Sequence, residues 1–321
     1  MLFNHETGEK EGESGYSTNW TYTLDLFEEL IQLQKGDTLA YQKSFDLIVK
    51  WFTAYPLKTN KWGPMYEDVT GWSDTQSTAV TFAWYMLKHT TYFPNWKKDV
   101  TGIFDWVYKE LGNDMWKSYG VTVVNEQTAF RYEGNSHTSR QASVELLYDK
   151  LRGEHSHYNN AVRQLIWATY MVNERGENQY PVNEIWLSDS YGDYIRHYIR
   201  AMAVCPELAP DNENHLLEST SVIQDIEYFP HFKFNPWAIA ESEQQLIAGK
   251  NHFTRIWYKS YDKNSTELFR LTKKPVSILV DTIEIAEKQI LDSQSWTWLP
   301  LESGGILRIS HNSGKIIRIN Y

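Results

Sequence analysis

Apolar residues recur at intervals of three and four along the first two-thirds of the chain, which predicts amphipathic helices. Leu26, Leu30 and Leu33 lie on one face; Ile103, Trp106 and Val107 on another; Val144, Leu147 and Leu151 on a third. Breakers separate the periodic stretches at Gly36-Asp37, Pro56, Pro94, Gly112-Asn113, Gly153 and Gly176. The stretches fall into two interleaved series. One holds Trp51, Trp106 and Trp167, in SFDLIVKWFTAY, VTGIFDWVYKEL and AVRQLIWATYMV, at separations of 55 and 61 residues. The other begins near Asn19, Asp74, Ser136 and Tyr191. Two series at one period predict stacked helical hairpins, about seven long helices in all.

Near Pro206 and Pro210 the period changes from helical to alternating. DNENHLLEST reads as a connector. The runs TRIWYKSY, TELFRL, VSILVD, SWTWLPL, GGILRIS and KIIRINY then read as strands. His311-Asn-Ser-Gly314-Lys315 between two of these runs reads as a tight hairpin turn. The expected fold is therefore mainly α: a helical-hairpin α/α arc or toroid over residues 1–210, followed over 211–321 by a connector and a small antiparallel β domain. The aromatic segment from Tyr228 to Trp237 is expected to be buried where the two meet.

Charge narrows the partners. A formal net charge of −10 repels phosphate backbones and anionic membranes, so neither nucleic acid nor a membrane surface is expected. No apolar run reaches the ~20 residues of a membrane span. A single cysteine, Cys205, excludes an intrachain disulfide. Paired Cys/His zinc spacing is absent, and no metal or cofactor is expected. The first twenty residues read as no signal peptide, which implies a cytoplasmic protein or one whose leader has been removed. Aromatics at 15%, with 14 Trp and 21 Tyr, are accounted for mostly by a helical core, and a minority of them suit a sugar cleft.

The long connections point to where chemistry is carried. They enter the second helix series at its N-termini, where unpaired N–H groups and a partial positive charge favour anionic or hydroxyl-rich ligands. The first contains Trp62, Trp72 and Asp74; the second Glu126, Arg131, Tyr132, Glu133, His137 and Arg140; the third Trp186, Asp189, Tyr191 and Asp193. Carboxylates in an aromatic-walled pocket are the requirement of glycoside hydrolysis, one protonated and one ionised. Asp74, Glu133, His137 and Asp193 are thus the candidate catalytic residues. Trp72, Arg131, Tyr132, Arg140, Trp186, Asp189 and Tyr191 are the candidate substrate contacts. Plainer roles compete: Asp74, Ser136 and Asp189 sit where helix N-caps belong, Trp62 and Trp186 can seal the hairpin ends, His197 reads as structural, and His155 and His157 as solvent-facing.

A region of helical pairs followed by a β domain resembles the α/α-toroid carbohydrate-active enzymes, both the six-hairpin glycosidases and the toroid polysaccharide lyases. Asn135-Ser136-His137 is similar to the Asn/His region of the lyases. The resemblance implies an enzyme acting on an oligo- or polysaccharide, with hydrolysis of glycosidic bonds favoured. The alternative is a lyase in which Tyr132 or His137 removes a proton and Arg131 or Arg140 neutralises a uronate. A third reading is a non-catalytic glycan-binding or scaffold protein. A six-hairpin ring needs more helices than are read here, which implies an open arc, a homo-oligomer or the C-terminal part of a longer protein.

Overall fold

A computed structural model of the chain describes residues 2–3, 10–12, 20–63, 73–129, 131–170, 194–228 and 254–321. The chain divides into two compact units, Met1–Tyr198 and Ile199–Tyr321.

In the first unit, α1 (Thr21–Gln32) and α2 (Thr38–Ala54) form a hairpin, followed by the single turn α3 (Pro56–Thr59). Asp37 starts α2 by accepting the Ala40 N–H on its side chain at 3.0 Å. Proline at position 56 supplies no N–H and opens a fresh turn where α2 ends. Two more hairpins follow: α4 (Gln76–Lys88) with α5 (Trp96–Leu111), and α6 (Asn135–Arg152) with α7 (Tyr158–Tyr170). Gly153 stops α6 in the left-handed conformation, at φ 68°. Helix α4 lies against both α1 and α6, so the first helices of the three hairpins are neighbours. The core between these layers is aromatic. Phe52 of α2 stacks on Phe82 of α4 with centroids 3.9 Å apart, and Trp62 reaches both Phe82 and Trp106 of α5 at 6.3 Å. Trp51, Trp106 and Trp167 fall on α2, α5 and α7, the second helix of each hairpin; Trp106 and Trp167 are buried and Trp51 is half-buried. Trp62, fully buried, belongs to this core.

Helix α8 (Tyr194–Val204) crosses into the second unit. There β5 (His215–Ser219), β6 (Ile223–Tyr228), β7 (Thr254–Ser260), β8 (Ser265–Leu271), β9 (Ser277–Val280), β10 (Ile283–Glu287), β11 (Ser295–Pro300), β12 (Gly305–His311) and β13 (Ile316–Asn320) build one sheet. The strand order is β5-β8-β12-β11-β10-β9-β13-β7-β6. (The short strands β1 to β4 lie in the first unit, at Leu2–Phe3, Lys10–Gly12, Gly112–Asn113 and Val123–Val124.) The two ends of the order, β5 and β6, are joined by only three residues, so the sheet must curl back on itself until it nearly closes. Alternate residues meet inside: Ile256 and Tyr258, Phe269 and Leu271, Ile278 and Val280, Leu307 and Ile309, Ile317 and Ile319.

This corrects the expected fold class. The protein is not mainly α with a small antiparallel domain: 24% is strand, and the nine-stranded sheet is mixed because β10 and β11 run parallel. Counting apolar runs misses three strands. β10 buries only Ile285, while β5 and β6 lie at the ends of the sheet, each with a bulge, where few side chains need to be apolar. The segment 311–315 is a turn but not a hairpin, since β12 pairs with β11 and β8 while β13 pairs with β9 and β7. The segment from 229 to 237 lies outside the described residues.

Candidate functional site

The connection into α6 folds back to hold the start of α4. The Gln76 N–H donates to the Glu126 carbonyl at 3.0 Å and the Thr128 N–H to the Asp74 carbonyl at 3.0 Å, while the Asp74 N–H donates to Thr128 Oγ1 at 2.9 Å. Further along, the Glu126 N–H reaches the Tyr132 carbonyl at 2.9 Å, and Asn125 forms a β-bridge with Glu133. The N-terminal turns of α4 and α6 are thereby fixed side by side, and Arg140 Nη1 of α6 donates to Gln76 Oε1 of α4 at 3.0 Å.

The expected site residues divide into three groups. Asp74 is an anchor. Its Oδ1 accepts the backbone N–H groups of Trp62 at 2.5 Å and Gly63 at 3.1 Å, and Lys61 Nζ lies 3.6 Å from Oδ2. The packing requires glycine at 63, where an added Cβ would sit 1.5 Å from the Ser73 carbonyl oxygen. The cap of α4 is Thr75 rather than Asp74, and α6 starts at Gly134 with no side-chain cap, so Ser136 caps nothing. Threonine at 75 wins because the Asp74 carboxylate is drawn away to residues 62–63.

Glu133, His137 and Arg140 are gathered at the same end and are buried. Glu133 accepts from Trp116 Nε1 and from Asn113 Nδ2, each at 3.3 Å. His137 and Arg140 lie one turn apart on α6. Tyr132 beside them is half-buried, and Arg131 is exposed with its Nε 3.4 Å from the Thr128 carbonyl. Trp72, Trp186, Asp189, Tyr191 and Asp193 lie outside the described residues. His157 departs from the solvent-facing expectation: its Nδ1 is 2.6 Å from Asp149 Oδ1, and its ring meets Phe104 and Tyr148 edge-on.

Beneath this end runs a buried polar chain that the spacing arguments miss. Gln76 Nε2 donates to Gln141 Oε1 at 3.4 Å, and Gln141 Nε2 to Glu145 Oε1 at 2.8 Å. The Tyr108 hydroxyl donates to the same Glu145 oxygen at 2.6 Å and accepts from Asn160 at 3.0 Å and Gln164 at 3.2 Å. Burial pushes the Glu145 carboxyl up to about 7, against the opposing pull of Gln141, Tyr108 and His157. Burial first, and Glu145 second, raise the Tyr108 phenol well above its ordinary value. The signal in the sequence is composition: between residues 135 and 145 only Ala142 and Val144 are apolar, yet all eleven positions are buried. A helix polar on every side and buried must spend its side chains on one another or on a ligand.

Compared with known proteins, the chain matches no family model and no curated sequence. No helix among the described residues is long and apolar enough to cross a membrane.

Proposed function

We propose that this protein acts on an oligo- or polysaccharide, hydrolysing glycosidic bonds at the end where α4 and α6 begin. The observation that carries this reading is the juxtaposition of two helix N-termini with the sheltered side chains of Glu133, His137 and Arg140. Helix N-termini offer donors to hydroxyl-rich ligands, and a carboxyl held among Trp116, Asn113 and the start of α6 supplies an acid or base beside them. Hydrolysis needs two carboxyl groups. Asp74 is committed to the Trp62 and Gly63 N–H groups, so the partner assigned to Glu133 in this proposal is Asp193.

One observation favours a second reading, β-elimination from a uronate-containing glycan. His137 and Arg140 share a helical face at this end, which pairs a base with a cation able to neutralise a uronate carboxylate. A single assay separates the two. The full chain is incubated with a panel of neutral and uronate-containing glycans, following both new reducing ends and the ultraviolet absorbance of an unsaturated uronate. Hydrolysis yields reducing ends without absorbance, and Glu133→Gln abolishes them while circular dichroism stays unchanged. Absorbance lost in His137→Ala transfers the assignment to elimination. Neither product across the panel overturns the enzymatic proposal.

A further inference from the structure

The other end of α4 carries a separate arrangement. Asp25 and Glu28 lie one turn apart on α1, and His89 is the residue that ends α4. One ligand atom from each of the three lies within 4.8 Å of the other two, and all three residues are half-buried. Their sequence separation, 64 positions from Asp25 to His89, leaves no motif to read.

The imidazole is held as a fixed ligand would be. Its ring stacks on Tyr92 at 5.7 Å with planes 3° apart, and Tyr85 covers it at 4.3 Å. Its Nε2 is sealed from solvent and makes no hydrogen bond among the described residues, although Glu28 Oε2 lies 3.3 Å away. A buried ring nitrogen without a hydrogen bond, beside the Glu28 carboxylate and in one cluster with Asp25, is an arrangement in which an ion between the three groups satisfies them all. The Tyr85 hydroxyl donates to Glu28 Oε2 at 3.4 Å and orients that carboxylate from behind. Glu28 and Tyr92 also line a cleft of about 500 Å³ whose walls include Gln32, Phe45 and Lys50.

The geometry points to a divalent transition-metal site formed by Asp25, Glu28 and His89, binding Zn²⁺ or Mn²⁺. Two carboxylates and one imidazole suit these ions better than Ca²⁺ or Mg²⁺, which take oxygen ligands almost alone. Three protein ligands leave at least one coordination position for water or a donor atom of a ligand, the arrangement of reactive rather than purely structural metal sites. Glu28 belongs both to the cluster and to the wall of the cleft, so the proposed site lies beside it. The site stands apart from the start of α4 and α6 and does not depend on the glycan reading.

The test uses the full chain, stripped with EDTA and titrated calorimetrically with Zn²⁺ or Mn²⁺ alone. Co²⁺ absorption serves as a signature of mixed oxygen and nitrogen ligation. One ion per chain is expected, with affinity lowered at least about tenfold by His89→Ala and by Glu28→Gln. Asp25→Asn, which keeps size and shape, guards against a folding failure in the other two and is expected to lower affinity in the same way. Absence of binding by the wild-type chain overturns the proposal. So does equal affinity in the wild type and every folded variant, which would place the ion elsewhere.

Discussion

Replacing Glu145 by Gln tests whether the polar chain under α4 and α6 contains a neutral acid. Glutamine keeps an oxygen where Oε1 accepts from Gln141 and Tyr108, and it carries no charge at any pH. The wild-type carboxyl ordinarily titrates at 4.5 and is pushed up to about 7 here, chiefly by burial. At about 1.4 kcal/mol for each tenfold change in proton affinity, that difference corresponds to roughly 3 kcal/mol. The sign follows from which state holds the proton. Below about pH 4.5 both folded and unfolded chains are protonated at this residue and it costs nothing. Between about pH 4.5 and 7 the unfolded chain releases the proton and the folded chain keeps it, so stability falls as pH rises. Above about pH 7 the full cost is present and constant. The glutamine variant lacks this dependence. Urea unfolding of both proteins at about pH 5 and pH 8 should therefore show the variant gaining up to about 3 kcal/mol on the wild type between the two conditions. Titrating groups that are not coupled to Glu145 cancel in the comparison. Parallel stability profiles for the two proteins would refute the claim that Glu145 is held neutral.

The core of the first unit makes a graded prediction for its repeated tryptophans. Trp106→Ala should cost roughly 3–5 kcal/mol in chemical denaturation, and Trp51→Ala distinctly less because that ring is only half-buried. For Asp74, the anchoring role predicts that Asp74→Ala destabilises by at least about 2 kcal/mol, having stranded two buried N–H groups. Asp74→Asn, which keeps an acceptor oxygen, should recover most of that loss in the same unfolding measurement; equal destabilisation by both would show that the charge, not the acceptor, does the holding.

Local periodicity reported what depends on local packing. The apolar stripes located α2, α5 and α7 because each buries one face, and alternation located β7, β8, β12 and β13 because each presents one face to the interior. It failed where burial is arranged by distant parts of the chain. Val144, Leu147 and Leu151 mark α6 as a helix, but Leu151 is exposed and most of the buried positions are polar, so apolar spacing does not single out Glu145, and the candidate contact Arg131 lies exposed. β10 shows only one buried side chain and β5 and β6 are edge strands, so none carried a clear alternation. Turn chemistry at 311–315 announced a reversal but held no information about which strand the chain would meet next. Asp74 directly precedes the Thr75 cap of α4, and its role as an anchor depends on Trp62 and Gly63, whose N–H groups no spacing rule assigns to it. The grouping of Asp25, Glu28 and His89 arises only from the packing of α1 against α4, and no spacing in the sequence announces it.

The position of β13 has a consequence for how the second unit is made. This strand, from residues 316–320, is inserted between β9 and β7, both synthesised well before it. Until it emerges from the ribosome, β7 and β9 have nothing between them, and each exposes a row of unpaired backbone groups along one edge. The β unit therefore cannot be completed strand by strand as the chain is translated. It must wait in a half-built state, open to pairing with other nascent chains, until this central strand arrives and joins its two halves.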